Sequence, residues 1–484
     1  MISPSRDRDR NPGIGLLILI ILQLIATTYR LYSYPAPWVD EGWIGEVAAR
    51  ISAGAPPGNP SHGTLYHFHD RLYWMPPLYF FLLGGWFSLF QVDLLSGRLL
   101  NGLVGILTVI ILYSYGRRRI GAAGAFAAGL IAIFEPFAWK AHRTIRFEPL
   151  IALLGLGLIA AIDRALEEEA GGRRSIHWWI LGGSAAGLLL SAHPNGALFC
   201  AGALVLVLAR RGPVVLRQAG PWAALGMAFL LILPYGFYCL SDAGGSFANF
   251  KGQNSFHLDA GASKPPFLRE WRRYADFFPW PWRAPAAAAM LAVLSASLTD
   301  LRREFTRTLL LPAAVYLTGL LVLPNKTLLY LVPLVPFLAL LAGSWWSRSR
   351  SRVALTVVSA LVAGGVVVDA GLLHRNRGYD TRRAYAALRA ELRPDDRVAG
   401  TFVTWWAVQP REFREFGRGA TLETIRNFDP TIVMLGDRQW RQEARGIYRA
   451  LARDLEPDLA ARWHLMATVR DSTLGDVAIW RFTE

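Results

Sequence analysis

The chain has 484 residues, 53% hydrophobic and only 18% charged, with a formal net charge of +15. Soluble domains carry about 25% charged residues, so this balance excludes an ordinary water-soluble enzyme and points to a membrane protein. The basic residues fall in short arginine clusters, not on a basic face interleaved with aromatics, which excludes nucleic acid as the natural partner.

In chain order, the polar, basic first dozen residues precede an apolar run over Ile14–Leu31. That run is long enough to cross a bilayer. It exceeds the roughly 7–15 residues of a signal-peptide core, and no small-x-small site precedes Trp38. A long loop, 32–94, follows. Within it, Pro77–Phe90 is too short to span and reads as an interfacial or re-entrant helix. Further spans are predicted near 95–116, 120–137, 149–163, 178–192, 195–209, 221–240, 285–299, 308–323, 328–343 and 353–373. Lys and Arg favour the cytoplasmic side. Placing Arg6/Arg8/Arg10, Arg117–Arg119, Arg173/Arg174, Arg210/Arg211/Arg217, Arg302/Arg303/Arg307 and Arg348/Arg350/Arg352 there puts the N-terminus inside and the C-terminus outside.

The expected fold is therefore an all-α polytopic membrane protein of about eleven transmembrane helices. Residues 1–373 form the membrane domain, and 374–484 a small extracytoplasmic α/β domain. In the latter, Asp380–Leu392 has helical apolar spacing, while Arg397–Val403, Thr431–Leu435 and Val477–Phe482 are strand-like. Cys200 and Cys239 both fall in predicted spans and read as packing residues. The acidic run Glu167–Glu169 reads as a solvated cytoplasmic loop. His67 and His69 share a face if extended, but a solvated loop suits them better than a metal site.

This topology gathers separated polar residues at the outward ends of different spans. Asp40 and Glu41 follow the first span, wedged in Tyr34-Pro35-Ala36-Pro37-Trp38-Val39-Asp40-Glu41-Gly42-Trp43. Lys140, His142, Arg143, Arg146 and Glu148 fill the loop after the third, His193 and Asn195 a later turn, and Lys326 another. Ionisable groups close to a bilayer are costly and usually serve chemistry or transport. Cations at such a site suit an anionic headgroup, and a carboxylate suits general-base work on a hydroxyl. The structural alternative is that Asp40 and Glu41 cap a helix starting near Trp43, and that Arg143, Arg146 and Lys326 only snorkel.

Four stretches then resemble the polyprenyl-phosphate-sugar-dependent glycosyltransferases of the GT-C superfamily, which include protein O-mannosyltransferases and the lipid A aminoarabinose transferase. They are Asp40-Glu41 with Val47-Ala48-Ala49-Arg50-Ile51, and Pro76-Pro77-Leu78-Tyr79 with Arg98 opening the next span. The others are Ala141-His142-Arg143-Thr144-Ile145-Arg146-Phe147-Glu148, and Lys326-Thr327-Leu328-Leu329-Tyr330-Leu331-Val332-Pro333 running on to Pro336. The likeness spans about residues 10–345. It departs from the pattern at Met75, at Glu148 in place of Asp, and at Leu329 in place of Arg.

The resemblance implies a hexosyl- or pentosyltransferase that moves a sugar from a polyprenyl-phosphate carrier to an acceptor hydroxyl, with inversion. It implies Asp40 as catalytic base, Glu41 as its neighbour and Glu148 as second acid. Arg143, Arg146 and Lys326 would hold the donor phosphate, Tyr330 would line the lipid groove, and Arg98 and His193 would contact substrate. The implied partners are the lipid-linked donor, an acceptor glycan, lipid or protein, and membrane lipids. No resident metal ligand is assigned, and a divalent cation is left open. The implied location is the inner (plasma) membrane, with the site on the extracytoplasmic side. The competing reading is a transporter or lipid flippase, which calls for inverted repeats and charges deep within spans.

Overall fold

The computed structural model describes residues 12–62, 68–241, 248–253, 284–322, 328–349, 351–416, 422–436, 461–470 and 473–482, with Leu455 and Leu459. Apolar runs in a bilayer fold as helices because backbone N–H and C=O groups must pair within the segment. The membrane body comprises α1 (Pro12–Thr28), α2 (Val39–Ser52), α3 (Leu78–Leu89), α4 (Leu94–Phe134), α5 (Pro136–Ala141), α6 (Glu148–Ala170) and α7 (Ile176–Ala192). It continues through α8 (Gly196–Arg211), α9 (Ala219–Leu240), α10 (Ala284–Thr299), α11 (Glu304–Val322), a 3-10 turn (Leu328–Leu334), α12 (Val335–Ser349) and α13 (Arg352–Arg375). α4, α6, α9, α13 and the segment Leu329–Ser349 are each long and apolar enough to cross a membrane, and several other helices are apolar but shorter. Leu225, Phe229, Leu230 and Phe237 stand exposed on α9, as side chains facing lipid do. This is a multi-pass membrane protein.

The spans predicted at 95–116 and 120–137 belong to one segment, α4, which doubles back at Gly121 (φ 78°, ψ 168°), a left-handed conformation that suits glycine. Gly116 packs against Ala125, whereas a straight helix would hold them about 13 Å apart. Arg118 and Arg119 therefore lie on helix beside the reversal and not in a loop. They meet Asp163, which is fully buried on α6 and also accepts from Tyr115 Oη (2.9 Å) and Arg210 Nη1 (2.5 Å). The acidic run 167–169 is likewise not a solvated loop. It forms the last turns of α6, where Glu167 pairs with Arg118 and Arg119, Glu168 with Arg164 (2.8 Å), and Glu169 accepts from Ser175 and Trp179. Their pairing compensates partly buried arginines, and the partners from α4 and from the start of α7 are not visible in the run itself.

The C-terminal region follows α13 as α14 (Thr381–Ala390), β1 (Val398–Gly400), α15 (Phe402–Val408), β2 (Phe413–Glu415), α16 (Leu422–Phe428), β3 (Ile432–Gly436), β4 (Trp463–Val469) and β5 (Val477–Phe482). The sheet order is β2-β1-β3-β5-β4. β1 is parallel to β2 and β3, and β5 is antiparallel to β3 and β4. The strand expected over 397–403 stops at Gly400, because Thr401 leads directly into α15.

This region packs on the membrane body through α2. Gly42 lies so close to the carbonyl of Phe402 that any side chain there would collide with it, and Trp406 covers Gly45. Thr381 N and Oγ1 both donate to Tyr32 O (2.9 and 3.0 Å). Glu46 is buried in the same seam, with Oε1 accepting from Ser61 Oγ (2.5 Å). Burial pushes its carboxyl up to about 8 against the opposing effects of Ser61 and Arg50, with Glu415 adding to the rise. A folded-state value above the unfolded 4.5 means that the folded protein holds this proton longer. Stability from this group is therefore full below pH 4.5 and falls as pH rises towards 8, by at most about 1.4 kcal/mol per pH unit. Glu46→Gln should flatten this slope and raise the thermal unfolding midpoint at pH 7.5 relative to wild type. A thermal-melt series between pH 5 and 8.5 checks it, and an unchanged slope in the variant contradicts it.

Candidate active site

The short connection from α1 to α2 brings Asp40 and Glu41 to the first turn of α2, which starts at Val39 and not near Trp43. Acids at that position suit the positive end of the helix. The two carboxylates nevertheless part company at once. Glu41 is fully buried, and its Oε2 accepts from Trp38 N (2.9 Å), so it caps the helix. The same carboxylate receives a two-pronged grip from Arg98, Nε to Oε1 at 2.9 Å and Nη2 to Oε2 at 2.8 Å, and a further bond from Ile145 N (3.0 Å). Arg98 is as completely buried as Glu41, and its remaining nitrogen donates to Leu31 O (3.1 Å). Arg98, which the resemblance set against substrate, instead locks α4 to α2 and to the loop at Ile145.

Arg143 is also occupied. Its nitrogens donate to Ala26 O (2.6 Å), Tyr29 O (2.9 Å) and Tyr34 O (3.1 and 2.9 Å), and the guanidinium lies 4.7 Å from the Trp139 ring centre. Burial pushes its value down to about 9. Five donors in a fixed fork suit this carbonyl-lined position, which sets the path of residues 26–34. The structure thus places Arg143 beneath the acidic loop.

Arg146 is the residue that joins the expected acids. Its Nη1 meets Asp40 Oδ2, while Nε and Nη2 form a forked pair with Glu148 Oε2 (3.0 Å) and Oε1 (2.6 Å). Burial works against its charge, yet Glu148 and Asp40 hold the guanidinium above its ordinary range. The two acids differ in access, since the Asp40 side chain is 31% exposed and that of Glu148 only 1%. Trp43 Nε1 donates to Asp40 Oδ1 (3.2 Å) and fixes the orientation of that carboxylate.

Around this bridge lies an aromatic wall. His193, which ends α7, has its ring 5.5 Å from Phe147 and 5.6 Å from Tyr330. Burial pushes the imidazole down to about 4, so it is neutral at physiological pH. Its Nδ1 accepts from Asn195 N (3.0 Å), which leaves the proton on Nε2. Lys140 stands over the Trp38 ring (5.5 Å), beside the acidic loop. Lys326 and His67 lie outside the described residues, and His69 pairs with Asp70 at 2.7 Å.

Sequence reasoning missed Tyr79, Asn101 and Trp43, though all three lie in or beside the motifs it used. Asn101 Nδ2 donates to Thr144 O and Arg146 O (2.9 Å), and Tyr79 Oη donates to Asn101 Oδ1 (2.9 Å). Together they hold the backbone that presents Arg146. The signal was a polar Asn in an apolar helix, where each amide needs a partner. A divalent cation does not fit between Asp40 and Glu148 in this arrangement, because the Arg146 guanidinium fills that place. Chemically, the site offers one accessible, oriented carboxylate, a buried second acid and a fixed cation between them.

The fold is similar to that of solved structures of low sequence identity. The chain aligns over 96% of its length with 97% of ArnT from Cupriavidus metallidurans bound to undecaprenyl phosphate, at TM-score 0.64 and 14% identity. It aligns over 98% of its length with 74% of the archaeal oligosaccharyltransferase AglB from Archaeoglobus fulgidus in complex with an inhibitory peptide and a dolichol-phosphate, at TM-score 0.59 and 11% identity. Residues 75–238 match the family model for dolichyl-phosphate-mannose-protein mannosyltransferase. No curated protein sequence matches the chain.

Removing one partner of a buried ion pair costs about 3–5 kcal/mol, whereas replacing both with neutral groups costs much less. Arg98→Ala should therefore reduce folded yield and thermal midpoint sharply, and Arg98→Met combined with Glu41→Gln should restore much of the loss. Size-exclusion profiles and melting curves of the two variants check this. A normally stable Arg98→Ala protein with weakened donor binding would contradict the structural role.

Proposed function

We propose that this protein is a membrane glycosyltransferase that moves a sugar from a polyprenyl-phosphate carrier to an acceptor hydroxyl. The observation that carries the reading is the partly exposed, oriented Asp40 carboxylate tied through Arg146 to Glu148. In the proposed step, Asp40 takes the proton of the acceptor hydroxyl. The acceptor oxygen bonds to the anomeric carbon as the bond from that carbon to the phosphate oxygen breaks, and the electron pair leaves with the phosphate. A single displacement inverts the anomeric centre. Arg146 and Trp43 aim the Asp40 carboxylate, and Glu148 holds Arg146 in place. Negative charge grows on the departing phosphate, so nearby fixed cations accelerate the step. Lys140 beside Trp38 supports that role, and we retain Lys326 for it from the sequence. Tyr330 and the neutral His193 flank the lipid carrier, in keeping with the undecaprenyl phosphate of ArnT and the dolichol-phosphate of AglB.

Arg118, Arg119 and Arg210 gather around Asp163, about 22 Å along α6 from Glu148. With arginines favouring the cytoplasmic side, Asp40 and the C-terminal domain face outward, which in a bacterial cell is the outer face of the inner membrane. The acceptor is then a glycan, lipid or protein of the cell envelope. A transporter or flippase is not favoured, because among the described residues the charged side chains are gathered towards the helix ends and not at mid-depth.

Loss of a positioned general base costs about 10²–10⁴-fold in rate. Asp40→Asn should lower transfer by that order while membrane abundance stays normal. Mass spectrometry of envelope glycans and lipids from cells carrying wild type or the variant reads the result. The same product level from both would refute the assignment.

A further inference from the structure

Trp43, which orients the Asp40 carboxylate, is itself walled by three aromatic rings: Trp74 (5.8 Å between ring centres), Phe80 (5.7 Å) and Phe147 (6.1 Å). Phe80 stands on α3 and Phe147 directly follows Arg146, so the membrane body fixes both. Trp74 differs, because residues 71–74 form neither helix nor strand. The backbone groups of such a segment must find their partners outside any helix or ladder.

Most of those partners come from the outer end of α9 and the chain just beyond it. Gln253 is fully buried. Its Oε1 accepts from Tyr73 N (2.7 Å) and Trp74 N (3.3 Å), while its Nε2 donates to Arg71 O (2.9 Å). Tyr235 Oη donates to Tyr73 O (2.5 Å), and Arg71 Nη1 donates to Ser241 Oγ (2.8 Å). Tyr238 Oη accepts from Leu72 N (3.2 Å) and donates to Pro57 O (3.2 Å). The buried amide of Gln253 thus grips both ends of the 71–74 segment, which lies far from it in sequence, and so fixes where Trp74 stands.

We infer that Gln253 is a positioning residue for Asp40, acting through Trp74 and Trp43. It sets the place of Trp74, Trp74 backs the Trp43 indole, and Trp43 Nε1 aims the carboxylate (3.2 Å). An apolar side chain at 253 would deprive Tyr73 N, Trp74 N and Arg71 O of these bonds, and buried backbone groups shift to regain such partners. A displacement of about 1 Å arising far from the chemistry can cost on the order of 10²-fold in rate, so a contact outside the site governs turnover. The inference rests on the reading of Asp40 as the base.

The test is a double-mutant cycle on the full chain, with wild type, Gln253→Ala, Trp43→Phe and the two combined. Trp43→Phe keeps a ring and removes the N–H. Initial rates of product formation in isolated membranes are read by mass spectrometry of envelope glycans and lipids, and binding of undecaprenyl phosphate is measured on the purified protein in nanodiscs. Gln253→Ala should slow transfer about tenfold or more, with undecaprenyl-phosphate affinity within about twofold of wild type. On the Trp43→Phe background the same change should cost less than about twofold, because residues acting through one contact are not additive. Wild-type transfer in a folded Gln253→Ala protein, losses that multiply independently, or an equal loss of carrier binding would overturn the inference. If Gln253→Ala fails to fold, Tyr235→Phe removes a single hydroxyl from the same segment and takes its place in the cycle, judged by the same outcomes. Asp40→Asn tests the base reading separately. Whichever way that falls, a structure of the folded variant decides the positioning: a displaced Trp74 with the Trp43–Asp40 bond broken supports it, and both rings in place overturn it.

Discussion

One guanidinium between two carboxylates, Arg146 with Asp40 and Glu148, is the interaction on which the rest of the site depends. Near a membrane, a lone carboxylate would draw water or take up a proton, and a lone arginine would be costly to bury. Bridged, the guanidinium and the carboxylates compensate one another. The bridge is asymmetric, since Glu148 is sealed off while Asp40 keeps a partly exposed edge, the edge that the proposed base role requires.

A bridge of this kind needs a rigid mount, and three buried contacts supply it. Arg98 on Glu41 ties α4 to the start of α2, Arg143 gathers the carbonyls of the preceding loop, and Asn101 holds the backbone on either side of Arg146. The contacts of these residues are with the protein itself, and they keep Asp40 and Arg146 where they are. Interactions of this quality lower the reorganisation needed during the reaction. The C-terminal domain adds a second constraint from the other side of α2, where Gly42 permits the backbone of Phe402 to approach.

Much of this was legible in the sequence. The arginine clusters and apolar runs located the helices from α6 to α13, because a bilayer leaves a chain few alternatives to helices of fixed length. The acidic first loop and the stretch 141–148 were also recognisable as partners at one end of the bundle. The division of labour among their charges was not legible. Asp40 and Glu41 are adjacent in sequence, yet one is solvent-facing and the other wholly buried, a difference set by α4 and by the loop at Ile145. Arg143 reads as a phosphate ligand and Arg98 as a substrate contact in one dimension, but their partners are carbonyls and a carboxylate from distant segments. The reversal at Gly121 and the fate of the acids at 167–169 were hidden for the same reason, as both depend on which helix packs alongside.

The most direct test is a structure determined with a non-hydrolysable polyprenyl-phosphate-sugar analogue in a lipid nanodisc. The account predicts the phosphate at the Asp40 end of the bundle, with the anomeric carbon facing the Asp40 carboxylate and the Arg146 bridge to Glu148 intact. A donor phosphate seated at the Asp163 end, or a sugar turned away from Asp40, would contradict it.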